Sequence, residues 1–262
     1  MECNSLREVA LSAKRKYNFF QNKSKYFIYS LFAGAYCSIG MALAYNAAAG
    51  FYSVPALRGI VNLIMGITFA LSFTLIVFAG AELFTGNIFV LNTGTLFREV
   101  SFNNTFKILI FCYFGNILGA SIMGVIISLS GAMGGTVADM LKEFCQSKVS
   151  FPPIQLIFKG IMCNVLVCLG TWMTYKIKSE AAKMMALLWA IVGFVTPGYE
   201  HCIANAGLFT MNAISNSIGT NYLQGIFINM TFVTLGNIIG GLLVALGYYY
   251  ANCNFKNSNE QL

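Results

Sequence analysis

The chain has 262 residues, of which 57% are hydrophobic and only 10% are charged. About 25% charged residues is usual for a soluble domain. The charges here are also clustered, because residues 26–57 and 202–255 contain no charged residue and no histidine. Apolar runs of this length predict several membrane-spanning helices and exclude a soluble globular domain. The net charge of +7 does not indicate a nucleic-acid partner, because the basic residues lie where membrane topology explains them.

The cysteine and histidine content argues against disulfides and against a metal centre. The eight cysteines form no Cys-x-x-Cys pair and lie mostly in predicted helices, so we expect buried free thiols. A single histidine without a second acidic cluster offers no metal-ligand spacing, and we predict neither a metal nor a cofactor. The cysteines are Cys3, Cys37, Cys112, Cys145, Cys163, Cys168, Cys202 and Cys253.

The N-terminal segment 1–25 is polar and basic, and it precedes the first apolar run. Two interpretations remain open for it, an amphipathic helix on the membrane surface or a solvated basic tail. Its basic residues are Arg7, Lys14, Arg15, Lys16, Lys23 and Lys25.

Six apolar segments follow, each of about 20 residues or more, the length that crosses a bilayer. The polar stretches 136–153 and 176–183 separate the third, fourth and fifth segments and are predicted as loops. With six crossings both termini lie on one side, and most lysines and arginines fall on that side, which predicts cytoplasmic termini. The segments are 26–50, 59–80, 105–131, 154–175, 184–216 and 222–251.

Two of these segments are interrupted by polar residues. Pro197-Gly198 divides the fifth segment, since proline lacks an N–H and glycine adopts conformations that a helix does not use. The polar stretch 80–87 is the other interruption, and it lies at the end of the second segment. Within lipid, a broken helix is tolerated only where protein or a water-filled cavity receives the freed backbone groups. The two interruptions therefore predict an ion or substrate site at mid-membrane.

Short matches between the two halves indicate an internal repeat within a single membrane domain, 1–262. Three spans in each half give the halves opposite orientations, as in many transporters, with 26–131 as the first repeat and 154–251 as the second. The glycine pairs of the third and sixth spans predict close helix packing, and Asn116 and Asn237 are expected to hydrogen-bond a neighbouring helix. The matches are 114–119 with 235–240, Gly80-Ala81-Glu82 with Gly198-Tyr199-Glu200, and Gly34-x-x-Cys37 with Gly160-x-x-Cys163.

Four ionisable residues lie within or beside the predicted spans, where an unpaired charge costs about 2.5–3.5 kcal/mol or more. They are Glu82, Lys159, Glu200 and His201. One interpretation is structural, with Lys159 neutralising Glu82 or Glu200. The other is functional, with Lys159 lending positive potential to a passing anion. Adjacent helical residues point in different directions, so we expect Glu200 to face the protein and His201 to face a cavity.

Thr85 in the first interruption is the natural partner of His201, and Asn164, one turn after Lys159, offers an amide to the same site. Bulky apolar residues flank both interruptions. Individually they are expected to be ordinary packing residues, but as a set they predict apolar constrictions that exclude hydrated ions. They are Phe69, Phe73, Leu83, Phe84 and Phe194.

Three stretches closely resemble signatures of the formate/nitrite transporter family: 81–87 (Ala-Glu-Leu-Phe-Thr-Gly-Asn), 159–164 (Lys-Gly-Ile-Met-Cys-Asn) and 198–205 (Gly-Tyr-Glu-His-Cys-Ile-Ala-Asn). The resemblance spans essentially the whole chain. It implies an all-α, aquaporin-like protomer of six transmembrane helices with broken second and fifth helices, assembled as a homopentamer with one pore per protomer. It also implies pore residues at Thr85, His201 and Asn164, with constrictions at Phe73, Leu83, Phe84 and Phe194.

Within that family the chain looks most like the hydrosulfide channel branch, with Lys148 expected to be exposed near the outer mouth. We therefore predict a multi-pass channel in a bacterial inner membrane for a small weak-acid anion. Hydrosulfide is the first choice, and formate or nitrite is the alternative. His201 is expected to donate a proton or a hydrogen bond to the anion.

Other functional classes fit the sequence less well. A water or glycerol channel needs paired Asn-Pro-Ala motifs, and the chain has no Asn-Pro dipeptide. An enzyme built on Glu200-His201-Cys202 would need a metal set or a second catalytic cluster, which the sequence does not offer. A receptor or scaffold would not require ionisable groups beside helix breaks.

Overall fold

The computed structural model describes residues 2–216 and 219–252, which form helices and turns with no strand. Cys253 and the rest of the predicted polar tail lie outside the described residues, as does the side chain of Cys3. The helices are α1 (Glu2–Phe20), α2 (Lys23–Tyr52), a 3₁₀-helix (Pro55–Ile60), α3 (Val61–Thr74), a π-helix (Leu75–Gly80), α4 (Phe84–Leu96), α5 (Phe102–Leu129), α6 (Thr136–Ser150), α7 (Pro153–Lys176), α8 (Glu180–Val195), α9 (Cys202–Ser215) and α10 (Thr220–Asn252).

The predicted all-helical membrane class is confirmed, and five of the described helical segments are long and apolar enough to cross a bilayer. The predicted fifth span is two shorter helices, α8 with 16 residues and α9 with 14. The six-span repeat thus remains a prediction. The predicted loop at 136–153 is wrong, because α6 occupies most of it. The five segments are Lys23–Tyr52, Pro55–Gly80, Phe102–Leu129, Pro153–Lys176 and Tyr222–Asn252.

Both predicted helix breaks are present, and each contains a glycine with positive φ two residues before a glutamate. Gly80 has φ of +85° and ends the π-helix, while Gly198 has φ of +74° and follows Pro197. Residues with a side chain rarely adopt this conformation. Each glycine therefore turns the chain out of one helix and into a short extended stretch that precedes α4 or α9.

One buried asparagine holds each break to the rest of the molecule. Asn116 of α5 accepts the N–H of Phe84 at 2.8 Å and donates to the carbonyls of Ser30 and Glu82, each at 2.8 Å. Backbone groups released at the break thus regain partners, which lipid cannot supply.

Asn237 of α10 does the same at the second break. It accepts the N–H of Cys202 at 3.0 Å and donates to the carbonyls of Gly160 and Glu200 at 2.8 and 3.0 Å. Both asparagines bond across helices, as the sequence predicted, and the two halves of the chain use the same arrangement.

Glycines allow the helices that carry these asparagines to approach their neighbours closely. A Cβ atom on Gly119 would overlap the carbonyl oxygen of Leu31, and one on Gly240 would overlap that of Ile161. Helix α5 therefore packs backbone to backbone on α2, and α10 packs in the same way on α7.

The N-terminal segment is an amphipathic helix, and its apolar face packs on the protein. Leu6, Val9, Ala10 and Ala13 are fully buried, and α1 contacts chiefly α4. The solvated-tail interpretation is therefore wrong. This packing carries Lys16, near the end of α1, to the first helix break.

Candidate functional site

The carboxylate at the first break lies in a cluster formed by Lys16, Glu82 and Asn87, which we call the inner cluster after the predicted cytoplasmic side. Lys16 Nζ lies 2.8 Å from both oxygens of Glu82. Asn87 Nδ2 donates to Glu82 at 2.8 Å, and the Tyr26 hydroxyl lies 3.2 Å from the same carboxylate. The Glu82 charge is therefore balanced by a cation from another helix and held by hydrogen bonds.

An equivalent outer cluster at the second break contains Lys148, Glu200 and Asn205. Lys148 Nζ lies 2.8 Å from Glu200 and 3.2 Å from Asn205 Oδ1, and Asn205 Nδ2 donates to Glu200 at 2.6 Å. The side chain of Glu200 is only 2% exposed, so the ammonium group of Lys148 offsets a large desolvation cost.

The two clusters contradict the structural interpretation of Lys159, in which it neutralises Glu82 or Glu200. Lys159 Nζ donates to the carbonyl of Gly198 at 2.7 Å and lies 4.5 Å from the ring centroid of Phe151. The carboxylates are paired instead by lysines from α1 and α6, which pack back over the breaks. Lys148, expected to be exposed, is half-buried for the same reason.

Each cluster faces a cavity. The inner cavity, of about 450 Å³, is lined by Lys16, Glu82 and Asn87 together with Phe73 and Leu83. The outer cavity has a volume of about 360 Å³. Its lining includes Lys148, Lys159, Glu200, Phe194 and His201.

A central chamber of about 10 Å³ lies between the two cavities. This volume accommodates about one water molecule. Phe194 and His201 are shared with the outer cavity, and Phe73, Ile76 and Leu83 with the inner cavity. The inner cavity, the chamber and the outer cavity therefore follow one another. Apolar side chains separate the chamber from the cavity on each side. The other residues lining the chamber are Cys37, Phe69, Ser72, Val167 and Ile191.

His201 and Thr85 meet beside the chamber, as their positions at the two breaks predicted, although of the two only His201 lines it. Thr85 Oγ1 lies 2.9 Å from His201 Nε2, and His201 Nδ1 accepts the backbone N–H of Ala204 at 3.1 Å. Because Nδ1 is an acceptor, the proton of the neutral ring lies on Nε2 and is donated to Thr85. The imidazole is therefore both the N-cap of α9 and a wall of the chamber, while Thr85 is fully buried behind it.

Two more of the predicted pore residues, like Thr85, do not line the chamber. Asn164 is fully buried and lines neither cavity nor the chamber. Its Nδ2 donates to the carbonyls of Asn237 and Thr85 at 2.6 and 3.3 Å, so it positions the backbone at Thr85. Phe84 points away from the chamber towards α5, where its ring contacts Tyr113 with centroids 4.9 Å apart. As the first residue of α4, Phe84 faces away from Leu83, which lines the chamber.

The predicted apolar residues Phe69, Phe73, Leu83 and Phe194 all line the chamber. Phe69 and Phe194 meet edge to face, with centroids 6.2 Å apart. Sequence reasoning missed Lys16 of the inner cluster, and no spacing signal links it to Glu82. It also missed Asn87 and Asn205, although each follows its glutamate by five residues in the two matching motifs.

Removal of Lys16 should destabilise the protein far more than removal of its neighbour Lys14. Lys16→Met leaves the nearly buried Glu82 without a cation, which costs about 3 kcal/mol. Lys14→Met removes an ion pair with Glu99 in which the lysine side chain is 56% exposed, and such surface pairs contribute less than about 1 kcal/mol. The midpoint of thermal unfolding in detergent and hydrogen exchange of α1 measure both effects. Equal midpoints for the two variants would contradict the buried pairing.

The pH dependence of this pair follows from the pKa of Lys16. Burial is the largest single effect and lowers the pKa of the ammonium group, but the charge and hydrogen bond of Glu82, with smaller effects of neighbouring groups, together outweigh it, so the net pKa lies above the usual 10.5. A raised pKa in the folded state means that the stabilisation is complete below the unfolded value and is lost as pH rises through the folded value. The difference between the Lys16 and Lys14 variants should therefore persist throughout the neutral range.

A sequence profile described as Formate/nitrite transporter matches residues 4–251. The chain belongs to the formate/nitrite transporter family. It is 34% identical to the nitrite transporter NirC of Escherichia coli K12 over 250 residues, which cover 95% of this chain and 88% of NirC. Proteins of this family are transporters and channels, so the chain is a membrane transport protein and not an enzyme.

Two solved structures of the family share the fold. One, an FNT family ion channel, superposes with a TM-score of 0.88 at 31% identity and covers 96% of this chain and 100% of that chain. The other, a pentameric formate channel with formate bound, has a TM-score of 0.76 at 27% identity, with 88% and 98% covered. The resemblance inferred from the three sequence motifs is therefore confirmed at the level of the family.

Proposed function

We propose that the protein conducts small monovalent anions of weak acids across a membrane. The observation that carries this proposal is the series of two cation-containing cavities separated by one narrow, apolar chamber with an imidazole in its wall. In each cavity lysine ammonium groups can donate hydrogen bonds to an anion, while neighbouring glutamates balance their charge. The apolar side chains around the chamber then exclude hydrated ions.

In this mechanism the anion loses its water in the cavity and meets His201 in the chamber. The anion replaces Thr85 Oγ1 as the acceptor of the hydrogen on His201 Nε2. The imidazole thereby replaces one of the hydrogen bonds that the anion made with water. A bare anion in an apolar medium is far more costly than its conjugate acid. Transfer therefore favours anions that accept a strong hydrogen bond from the imidazole, which describes the anions of weak acids better than chloride.

Hydrosulfide is the first anion that we propose, because the chamber accommodates about one water-sized particle and hydrosulfide has one heavy atom. Nitrite and formate are the second candidates. They are favoured by the similarity of the chain to a nitrite transporter and to a formate channel.

We also propose a homopentamer in a bacterial inner membrane with both termini in the cytoplasm. The pentameric state of a similar solved structure supports the assembly, and the distribution of lysine and arginine supports the orientation. Large apolar side chains are exposed along the spanning helices, such as Phe102 at 71% and Leu129 at 75%. Lipid or neighbouring protomers must cover such surfaces.

Flux into liposomes that hold the purified protein tests this proposal. We expect hydrosulfide, nitrite or formate to enter faster than chloride. Phe194→Trp enlarges a side chain at the boundary between the outer cavity and the chamber, where about one water fits, and should reduce anion flux at least about tenfold. Phe227→Trp, at a side chain that is 73% exposed on α10, is the matched control and should conduct like the unchanged protein.

Two results would contradict the proposed function. One is the absence of flux for all three weak-acid anions from protein that is folded and inserted. The other is undiminished flux through Phe194→Trp, which would show that ions do not pass through the chamber.

A further inference from the structure

The central chamber contains few groups that are free to bind an ion. Both ring nitrogens of His201 already have partners, Nδ1 with the N–H of Ala204 and Nε2 with Thr85. The remaining described residues of its lining are apolar, except Cys37 and Ser72. A thiol is only a weak hydrogen-bond donor, so the strongest uncommitted donor available to the chamber is the hydroxyl group of Ser72.

Ser72 lies on α3 and is 2% exposed. Its Oγ has no hydrogen-bond partner within the described part of the chain. Other hydroxyls of the same helix behave differently, since Thr68 donates to the carbonyl of Ile64 at 2.7 Å and Thr74 to that of Ala70 at 3.1 Å. An orphaned buried hydroxyl carries a desolvation cost. A passing ligand that accepts its hydrogen would remove that cost.

The neighbouring helix α2 leaves space for this hydroxyl. A Cβ atom on Gly40 would overlap Ser72 Oγ, so only glycine at this position allows the hydroxyl its present orientation. Cys37, nearly one turn before Gly40 on α2, also lines the chamber. The part of the chamber wall formed by α2 and α3 thus contains a hydroxyl that has no partner among the described residues.

We propose that the Ser72 hydroxyl donates a hydrogen bond to the permeating anion, and that this contact raises the flux of oxygen-bearing anions relative to hydrosulfide, the anion that the size of the chamber favours. The inference rests on the proposed channel function and adds a residue that determines specificity. Formate and nitrite each carry oxygen acceptors, so an oxygen of either anion can accept the hydrogen of Ser72 as the anion passes the chamber. Hydrosulfide has a single sulfur, and sulfur is a weak acceptor.

Ser72→Ala tests the inference through the selectivity of flux. A hydrogen bond to a charged group contributes enough that its loss should lower nitrite and formate flux about tenfold. Hydrosulfide flux, which depends little on an oxygen-type donor, should change less than about twofold. The nitrite-to-hydrosulfide flux ratio in liposomes is the quantity to measure, because a general packing defect would lower both fluxes together.

Ser38→Ala is the matched control, since Ser38 is a fully buried serine of α2 whose hydroxyl already donates to the carbonyl of Ala120 at 2.8 Å. Its flux ratio should equal that of the unchanged protein. A Ser72→Ala variant with an unchanged ratio, or with equal losses for all three anions, overturns the inference while leaving the channel function intact. Hydrosulfide flux without nitrite or formate flux through the unchanged protein overturns it as well. Absence of any weak-acid anion flux through the unchanged protein overturns the proposed function itself.

Discussion

Asn237→Leu is expected to abolish recovery of folded protein from membranes. Leucine has a similar volume but no amide, so the N–H of Cys202 and the carbonyls of Gly160 and Glu200 lose their interhelical partner. Each unsatisfied buried group costs about 1–3 kcal/mol. The total of about 3–9 kcal/mol is comparable to the whole stability of a typical domain, about 5–15 kcal/mol.

Asn92→Leu provides the matched control for this result. Asn92 is half-buried on α4, and its amide donates only within its own helix, to the carbonyl of Ile88 at 2.7 Å. Size-exclusion chromatography and thermal unfolding in detergent compare the two variants. A monodisperse Asn237→Leu protein with an unchanged unfolding midpoint would show that the second helix break does not depend on this amide.

His201→Asn is expected to fold normally and to lose most of its anion flux. Asparagine is a good N-cap residue, so the N–H of Ala204 keeps an acceptor at the start of α9. Its shorter side chain does not reach Thr85 and presents no imidazole to the chamber. Loss of one hydrogen bond to a charged species corresponds to a flux decrease of about tenfold to a hundredfold.

His201→Leu separates the two roles of the imidazole. It removes the cap as well as the imidazole, and should therefore lose about 1 kcal/mol of stability in addition to the flux. Flux assays in liposomes and unfolding midpoints distinguish the variants. If His201→Asn conducts as the unchanged protein does, with the same dependence on pH, the imidazole has no part in permeation.

The local features of the breaks could be predicted from the sequence because they depend on short-range chemistry. Pro197-Gly198 and Gly80 interrupt helices through their own backbone preferences, and a carboxylate beside each break needs a partner in any fold. The pairing of Thr85 with His201 could also be expected, because two broken helices in one bundle bring their polar residues together. Asn116 and Asn237 stand out for a similar reason, since a buried amide in lipid must bond across helices.

The choice of cation for each carboxylate could not be predicted. Lys159 lies within a predicted span and was therefore a plausible partner for Glu82 or Glu200. Its ammonium group donates instead to the carbonyl of Gly198. Lys16 and Lys148 reach Glu82 and Glu200 only because α1 and α6 pack back over the breaks. That packing depends on apolar contacts distant in sequence, which no local pattern encodes.

The sequence by itself determined the membrane class, the positions of the helix breaks, the family and most of the residue types around the chamber. Hydropathy, proline, glycine and short motifs act over a few residues, so they can be interpreted without coordinates. Tertiary structure decided which of two adjacent apolar residues, Leu83 or Phe84, faces the chamber. It also decided that the Ser72 hydroxyl at the chamber has no partner within the described residues, because rotation of a helix about its axis is set by its packing partners.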